Sequence, residues 1–129
     1  MFSPHKNGTG AVLPWEYIPA AAGTYEAGQL LQVSGGKLAA IAAAATTTPP
    51  YLCMGSITVA DGEPLPVTRV ADDVIYTAPL SAAAEAAVVG TKLRISEGGK
   101  ALDAGAAGSF EVVALDGNQA GDIVYGRFI

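Results

Sequence analysis

A short alternating phrase closed by two glycines occurs twice in this chain, and nothing else in the sequence narrows the fold as much. Gly28-Gln29-Leu30-Leu31-Gln32-Val33-Ser34-Gly35-Gly36-Lys37 returns as Gly90-Thr91-Lys92-Leu93-Arg94-Ile95-Ser96-Glu97-Gly98-Gly99-Lys100, with one extra residue, Glu97, in the second turn. In each copy two apolar residues flank a polar one: Leu31, Gln32, Val33 and Leu93, Arg94, Ile95. A period of two is that of a half-buried strand. The glycine pair supplies the positive φ that a tight reversal needs. The phrase therefore reads as strand, turn, strand, used twice, and it carries no reactive group. Leu31, Val33, Leu93 and Ile95 are the expected core-facing positions.

The 129 residues are enough for one domain, and half of them are hydrophobic while few are charged. That balance is the opposite of the one that keeps chains disordered. The formal net charge of −5 and the scatter of the seven basic residues argue against nucleic acid as a partner. No stretch approaches the ~20 apolar residues of a membrane-spanning helix, and residues 1–10 lack the apolar core of a signal peptide. Cys53 is the only cysteine and lies in the apolar run Tyr51-Leu52-Cys53-Met54, which reads as a buried structural thiol.

Along the chain, residues 1–16 read as an extended N-terminal arm and residues 17–129 as a β-rich body. Pro4, Gly8, Gly10 and Pro14 punctuate the arm. It nevertheless holds Phe2, Val12, Leu13 and Trp15, with Tyr17 just beyond, and a solvated tail has no use for such residues. Either the arm docks on its own domain or it docks on a neighbour, adding main-chain hydrogen bonds to a foreign sheet edge. Strands are expected over Leu38–Ile41, Tyr51–Val59 (broken at Gly55-Ser56), Val67–Val70, Val74–Thr77, Ser109–Leu115 and Gly121–Ile129. Ala42–Ala45 is expected to stay mostly extended, and Pro64 and Pro66 to lie in a loop. Ser81–Ala87 is the one plausible helix, with Ser81 as its cap and alanines of high propensity behind it.

Several constellations suggest chemistry, and each fails on spacing. Asp72 and Asp73 are adjacent, so in a strand they point to opposite faces and cannot share a proton. Asp116-Gly117-Asn118 with Asp122 lacks the ligand spacing and closing glutamate of a calcium loop. Gly8-Thr9-Gly10 and Gly35-Gly36-Lys37 do not open a helix after a strand, so no phosphate cradle follows. The single histidine, His5, lies in the arm, so no Ser/His/Asp triad can be built. The residues thus point to no catalytic, metal or cofactor site.

A resemblance adds to this reading. It is carried by Ala22-Gly23-Thr24-Tyr25-Glu26-Ala27-Gly28-Gln29-Leu30-Leu31, Pro50-Tyr51-Leu52-Cys53-Met54-Gly55, Pro66-Val67-Thr68-Arg69-Val70, Val89-Gly90-Thr91-Lys92-Leu93, Phe110-Glu111-Val112-Val113 and Val124-Tyr125-Gly126-Arg127-Phe128. Together these resemble the small head decoration, or capsid cement, proteins of tailed bacteriophages and prophages, over nearly the whole of residues 17–129. The resemblance implies a mainly β fold, a compact barrel-like or β-tulip body with an extended N-terminal arm and at most one or two short helices. It implies a non-enzymatic structural protein without a cofactor, made in the host bacterial cytoplasm and bound to the major capsid protein on the outside of the virion. Grouping in homotrimers at three-fold and quasi-three-fold sites is also implied. On that reading Phe2, Pro4, Val12, Leu13, Trp15 and Tyr17 are the candidate contacts to capsid or neighbour, and removal of residues 2–13 is expected to leave the body folded. Two alternatives stand beside it: a phage tail or fibre accessory domain, and a biotinyl/lipoyl-type barrel-sandwich carrier. The second is suggested by Gly23–Leu31 and the internal repeat, although Lys37 and Lys100 lack the flanks of a modified lysine.

Overall fold

A computed structural model describes residues 1–7, 14–105 and 107–129. Thirteen strands follow one another among these residues: β1 (Ser3–Asn7), β2 (Glu16–Pro19), β3 (Gly23–Tyr25), β4 (Leu30–Ser34), β5 (Lys37–Ala40), β6 (Tyr51–Cys53), β7 (Ile57–Val59), β8 (Pro64–Arg69), β9 (Val74–Pro79), β10 (Lys92–Ile95), β11 (Leu102–Asp103), β12 (Phe110–Leu115) and β13 (Ile123–Phe128). They form a six-stranded sheet, ordered β1-β9-β13-β12-β10-β11, a five-stranded sheet, ordered β2-β8-β6-β4-β5, and the small β3-β7 ribbon. All strand pairs are antiparallel. Single bridges bring the flanks of each large sheet together: Ala20, just past β2, meets Leu38 of β5, and Leu80, just past β9, meets Leu102 of β11. Both sheets are therefore curled. The expected mainly β single domain is what the chain forms.

The two copies of the repeated phrase become β4-β5 and β10-β11. In the first, Ser34 pairs with Lys37, and Gly35 and Gly36 form the two-residue reversal with φ of 60° and 79°. Positive φ at both positions is what a hairpin turn twisted like its strands demands. In the second, the extra residue widens the turn. Ser96 N–H donates to Ala101 O at 2.9 Å, and Glu97–Lys100 forms the loop. This loop lies against the first copy. Gly99 O accepts from Leu30 N–H at 2.8 Å, Gly98 N–H donates to Ile41 O at 2.8 Å, and Gln29 Nε2 donates to Gly98 O at 3.0 Å. The approach is so close that a Cβ on Gly99 would strike the Leu30 carbonyl.

Alternation along β4 divides its leucines between two cores. Leu31 packs with Ala20, Tyr25, Leu38, Cys53, Val59, Leu65 and Val67 inside the curled five-stranded sheet. Leu30 and its cross-strand partner Leu52 face the other way, into a larger cluster with Phe2, Tyr76, Leu93, Ile95, Leu102, Phe110 and Phe128. Each fully buried leucine or phenylalanine contributes about 1.5–3 kcal/mol relative to exposure. β4 is thus a shared wall, and the molecule is held together by apolar contact on both of its faces.

Three expectations are corrected. Val33 is 52% exposed, whereas Leu31, Leu93 and Ile95 are buried. Val33 is next to the β4-β5 tip, beyond the reach of the second core. Its partner Leu38 is the one covered, by Ala20 and by Ala21, whose N–H donates to Leu38 O at 2.9 Å. Ser81–Ala87 forms no helix. Ser81 N–H donates to Leu102 O at 2.8 Å, the Ser81 hydroxyl donates to Asp103 Oδ1 at 2.6 Å with Leu102 O also within 3.0 Å, and Ala84 N–H donates to Asn118 O at 2.7 Å. Tertiary partners take the donors that a short helix would have used. Finally, β8 starts at Pro64, so both prolines lie within a strand. β6 pairs with β8 only from Val67 to Arg69, so the missing N–H groups fall where that ladder has ended.

Candidate functional site

The expected contact residues do not form one arm. Phe2 is 2% exposed and belongs to the larger core, its ring centroid 5.9 Å from that of Phe110 and 6.1 Å from that of Phe128. Phe2 N–H donates to Gly28 O at 2.8 Å, and the strand that follows pairs with β9, Ser3 opposite Thr77 and Asn7 opposite Val74. Of the two dockings open to the arm, residues 2–7 adopt the one on their own domain. They pair with the body instead of extending from it as an arm, and the Phe2 ring is buried inside the domain. Val12 and Leu13 lie outside the described residues.

Pro4, Trp15 and Tyr17 do lie at the surface. Trp15 is 52% and Tyr17 67% exposed. Thr68 Oγ1 donates to Pro14 O at 2.8 Å and fixes the chain beside β8 just before Trp15. β2 then pairs with β8, Tyr17 opposite Pro66 and Ile18 opposite Leu65. Alternation turns Ile18 toward the second core and Tyr17 away from it. The main chain at Tyr17 has a further property. Pro66 O accepts from Met54 N–H at 3.0 Å, so the polar groups of Pro66 face Met54 rather than β2. In an antiparallel pair the residue opposite such a position turns its own N–H and C=O outward. Among the described residues β2 has no strand on that outer side at Tyr17. Among the described residues, an exposed phenol and a main-chain donor and acceptor without a strand partner therefore occur at one residue of a sheet edge.

An apolar surface continues from this edge. Met54, bonded to Pro66, lines a shallow groove of about 280 Å³ together with Met1, Pro4 and Leu52. Pro4, Met54, Pro66 and Tyr17 thus follow one another as neighbours across both large sheets. Pro4 and the irregular register between Pro4 and Lys6 blunt the edge of β1 against further pairing. Val88 and Val89, 63% and 68% exposed in the loop before β10, were not among the expected contacts.

The titratable groups have structural surroundings. Burial pushes the Cys53 thiol and the Tyr76 and Tyr25 phenols up from their ordinary values. The Asp116 carboxylate, whose Oδ2 is 3.3 Å from the Tyr125 hydroxyl, does the same to that exposed phenol. Cys53 is fully buried and its Sγ donates to Gly55 O at 3.2 Å. His5 stacks edge-on against Tyr125, ring centroids 5.2 Å apart. No group of three or more His, Cys, Asp or Glu among the described residues is placed to hold a metal ion. What the surface arrangement can do is bind, by aromatic burial and strand addition. No family model matches the chain, and no curated protein matches it.

Proposed function

We propose that this chain is a structural binding protein that decorates the outer surface of a tailed-phage capsid, seated on the major capsid protein and stabilising the shell in groups of three. The resemblance of residues 17–129 supplies the partner and the grouping. The observation that carries the binding face is the exposed Trp15, just before the edge strand β2, and the exposed Tyr17 within it, whose outward main-chain groups have no strand partner among the described residues. Aromatic anchors dominate binding energy at interfaces, and an open strand edge adds directed hydrogen bonds to them. The relevant contacts are therefore Pro4, Trp15 and Tyr17, with the surface around Met54 and Pro66.

The test is binding to undecorated heads, read by electron microscopy and by co-sedimentation. An anchor residue contributes about 2 kcal/mol or more, roughly thirty-fold in affinity. Trp15→Ala and Tyr17→Ala should each raise the protein concentration needed for half-occupancy of heads by about that factor while the melting temperature stays at the wild-type value. Undiminished occupancy by the double variant would refute the binding face. Label on tails or fibres with bare heads would refute the capsid assignment.

A further inference from the structure

We infer that β1 is an exchangeable strand, and that the groove it fills accepts the same strand from a second copy of this chain. The inference rests on where the partners of β1 come from and holds whatever surface the protein binds. The β1 ladder is made with β9, Ser3 to Asn7 against Thr77 to Val74. The Phe2 ring is enclosed by Phe110 of β12 and Phe128 of β13, and its N–H is received by Gly28 O. His5 rests on Tyr125 of β13, and Thr77 Oγ1 donates to Ser3 O at 3.4 Å. Every one of these partners belongs to the body, while β2, the next element along the chain, lies in the other large sheet. In sequence, the six residues Gly8-Thr9-Gly10-Ala11-Val12-Leu13 separate Asn7 from Pro14.

The groove does not distinguish its own strand from an identical one. Without β1 it would expose a strand edge at Val74–Thr77 and leave a hole between Phe110 and Phe128, so an occupant is required. Exchange of an identical element between copies is a low-cost route to association, because no new contact has to evolve. What favours the intramolecular strand is that it is joined to the same chain, which for a link of a few residues gives an effective concentration on the order of a millimolar. Dilute protein therefore keeps its own strand, and exchange competes as the protein concentration approaches that range. Exchange also needs Phe2 to leave its hole, so it is set when the chains fold together.

Paired positions on β1 and β9 make this testable in the full chain. Ser3 and Thr77 are directly opposite, and opposed antiparallel residues fall within disulfide range. Chains carrying Ser3→Cys and chains carrying Thr77→Cys are mixed, unfolded in urea with reductant, refolded together and then oxidised. Refolding is done at about 1 mM and at about 1 μM protein, the first comparable to the effective concentration of the joined strand and the second far below it. Non-reducing electrophoresis and peptide mapping read the links. At the higher concentration, dimers linked between position 3 of one copy and position 77 of the other should predominate. At the lower one they should fall by at least about ten-fold, as mass action requires. Statistical mixing of 3–3, 3–77 and 77–77 links, or no dimer at the higher concentration, would overturn the inference. The double variant Ser3→Cys/Thr77→Cys should close within one chain at low concentration, and failure to close would overturn it as well, by refuting the register of β1.

Discussion

Replacing Phe2 by alanine separates a core residue from a tail residue in one measurement. Its side chain is 2% exposed and packed between Phe110, edge-on, and Phe128, tilted by 39°. Removing a buried phenylalanine costs about 3–5 kcal/mol, the transfer of the ring plus the cavity left behind. The whole domain is stable by only about 5–15 kcal/mol. For a chain of this length, each kcal/mol is about 3–4 °C in melting temperature. Phe2→Ala should therefore lower the midpoint by about 10–20 °C, measured by calorimetry and by near-ultraviolet circular dichroism. Tyr17→Ala, at 67% exposure, is the matched control and should stay within about 2 °C. If Phe2→Ala also melts within about 2 °C of the wild type, the first residues are a free arm and the placement of β1 is wrong.

Three more outcomes follow from the same packing. Leu31→Ala should cost about 3 kcal/mol in urea unfolding and Val33→Ala less than about 0.5, although both occupy one face of the same strand. Gly99→Ala should cost about 2–4 kcal/mol, since its φ of 74° is strained for alanine and the Cβ meets the Leu30 carbonyl. Gly98→Ala meets open space and should cost only the strain of its positive φ, so equal losses in urea unfolding would refute the docking of the second turn. Tyr25 and Tyr76 are pushed upward by burial, so the folded state holds their protons more tightly than the unfolded one. Stability should then be full below about pH 10, the ordinary tyrosine value, and be lost as pH rises through the folded values. Unchanged urea midpoints across that alkaline range would refute the burial of both phenols.

The repeated phrase was legible because alternation and the glycine pair are local signals. β4, β5, β10, the break at Gly55-Ser56 and the strands near Phe110 and Val124 could be read from it or from similar patterns. What was not legible depended on distance. Leu30 and Leu31 are both buried because β4 has a core on each side, and a period of two cannot announce a second core. Val33 has the pattern of a core residue and lies past the end of the core. The alanines after Ser81 favour helix locally, but Leu102, Asp103 and Asn118 claim the hydrogen bonds. Pro64 and Pro66 looked like loop residues because their tolerance depends on where β6 stops. Of the candidate contacts, Trp15 and Tyr17, singled out as large apolar residues in a stretch punctuated by proline and glycine, do lie at the surface. Phe2 was misassigned by the same reasoning, since a proline and glycine nearby say nothing about a hole between two distant phenylalanines.

The docking of the second glycine turn has a consequence for how the protein opens. Gly98 and Gly99 are bonded to Ile41 and Leu30, and Ala45 and Ile95 exchange two further main-chain bonds of 2.8 and 2.9 Å. The two copies of the phrase, far apart in sequence, are sewn together on both sides of the second one. Closing such contacts costs loop entropy early in folding and makes the search slow. Once closed, they forbid either half from melting alone, because freeing one hairpin exposes the wall that the other core rests on. The amides of Leu30, Ala45, Ile95 and Gly98 should then exchange with solvent only when the entire domain unfolds, and the protein should behave as a single cooperative unit despite having two cores.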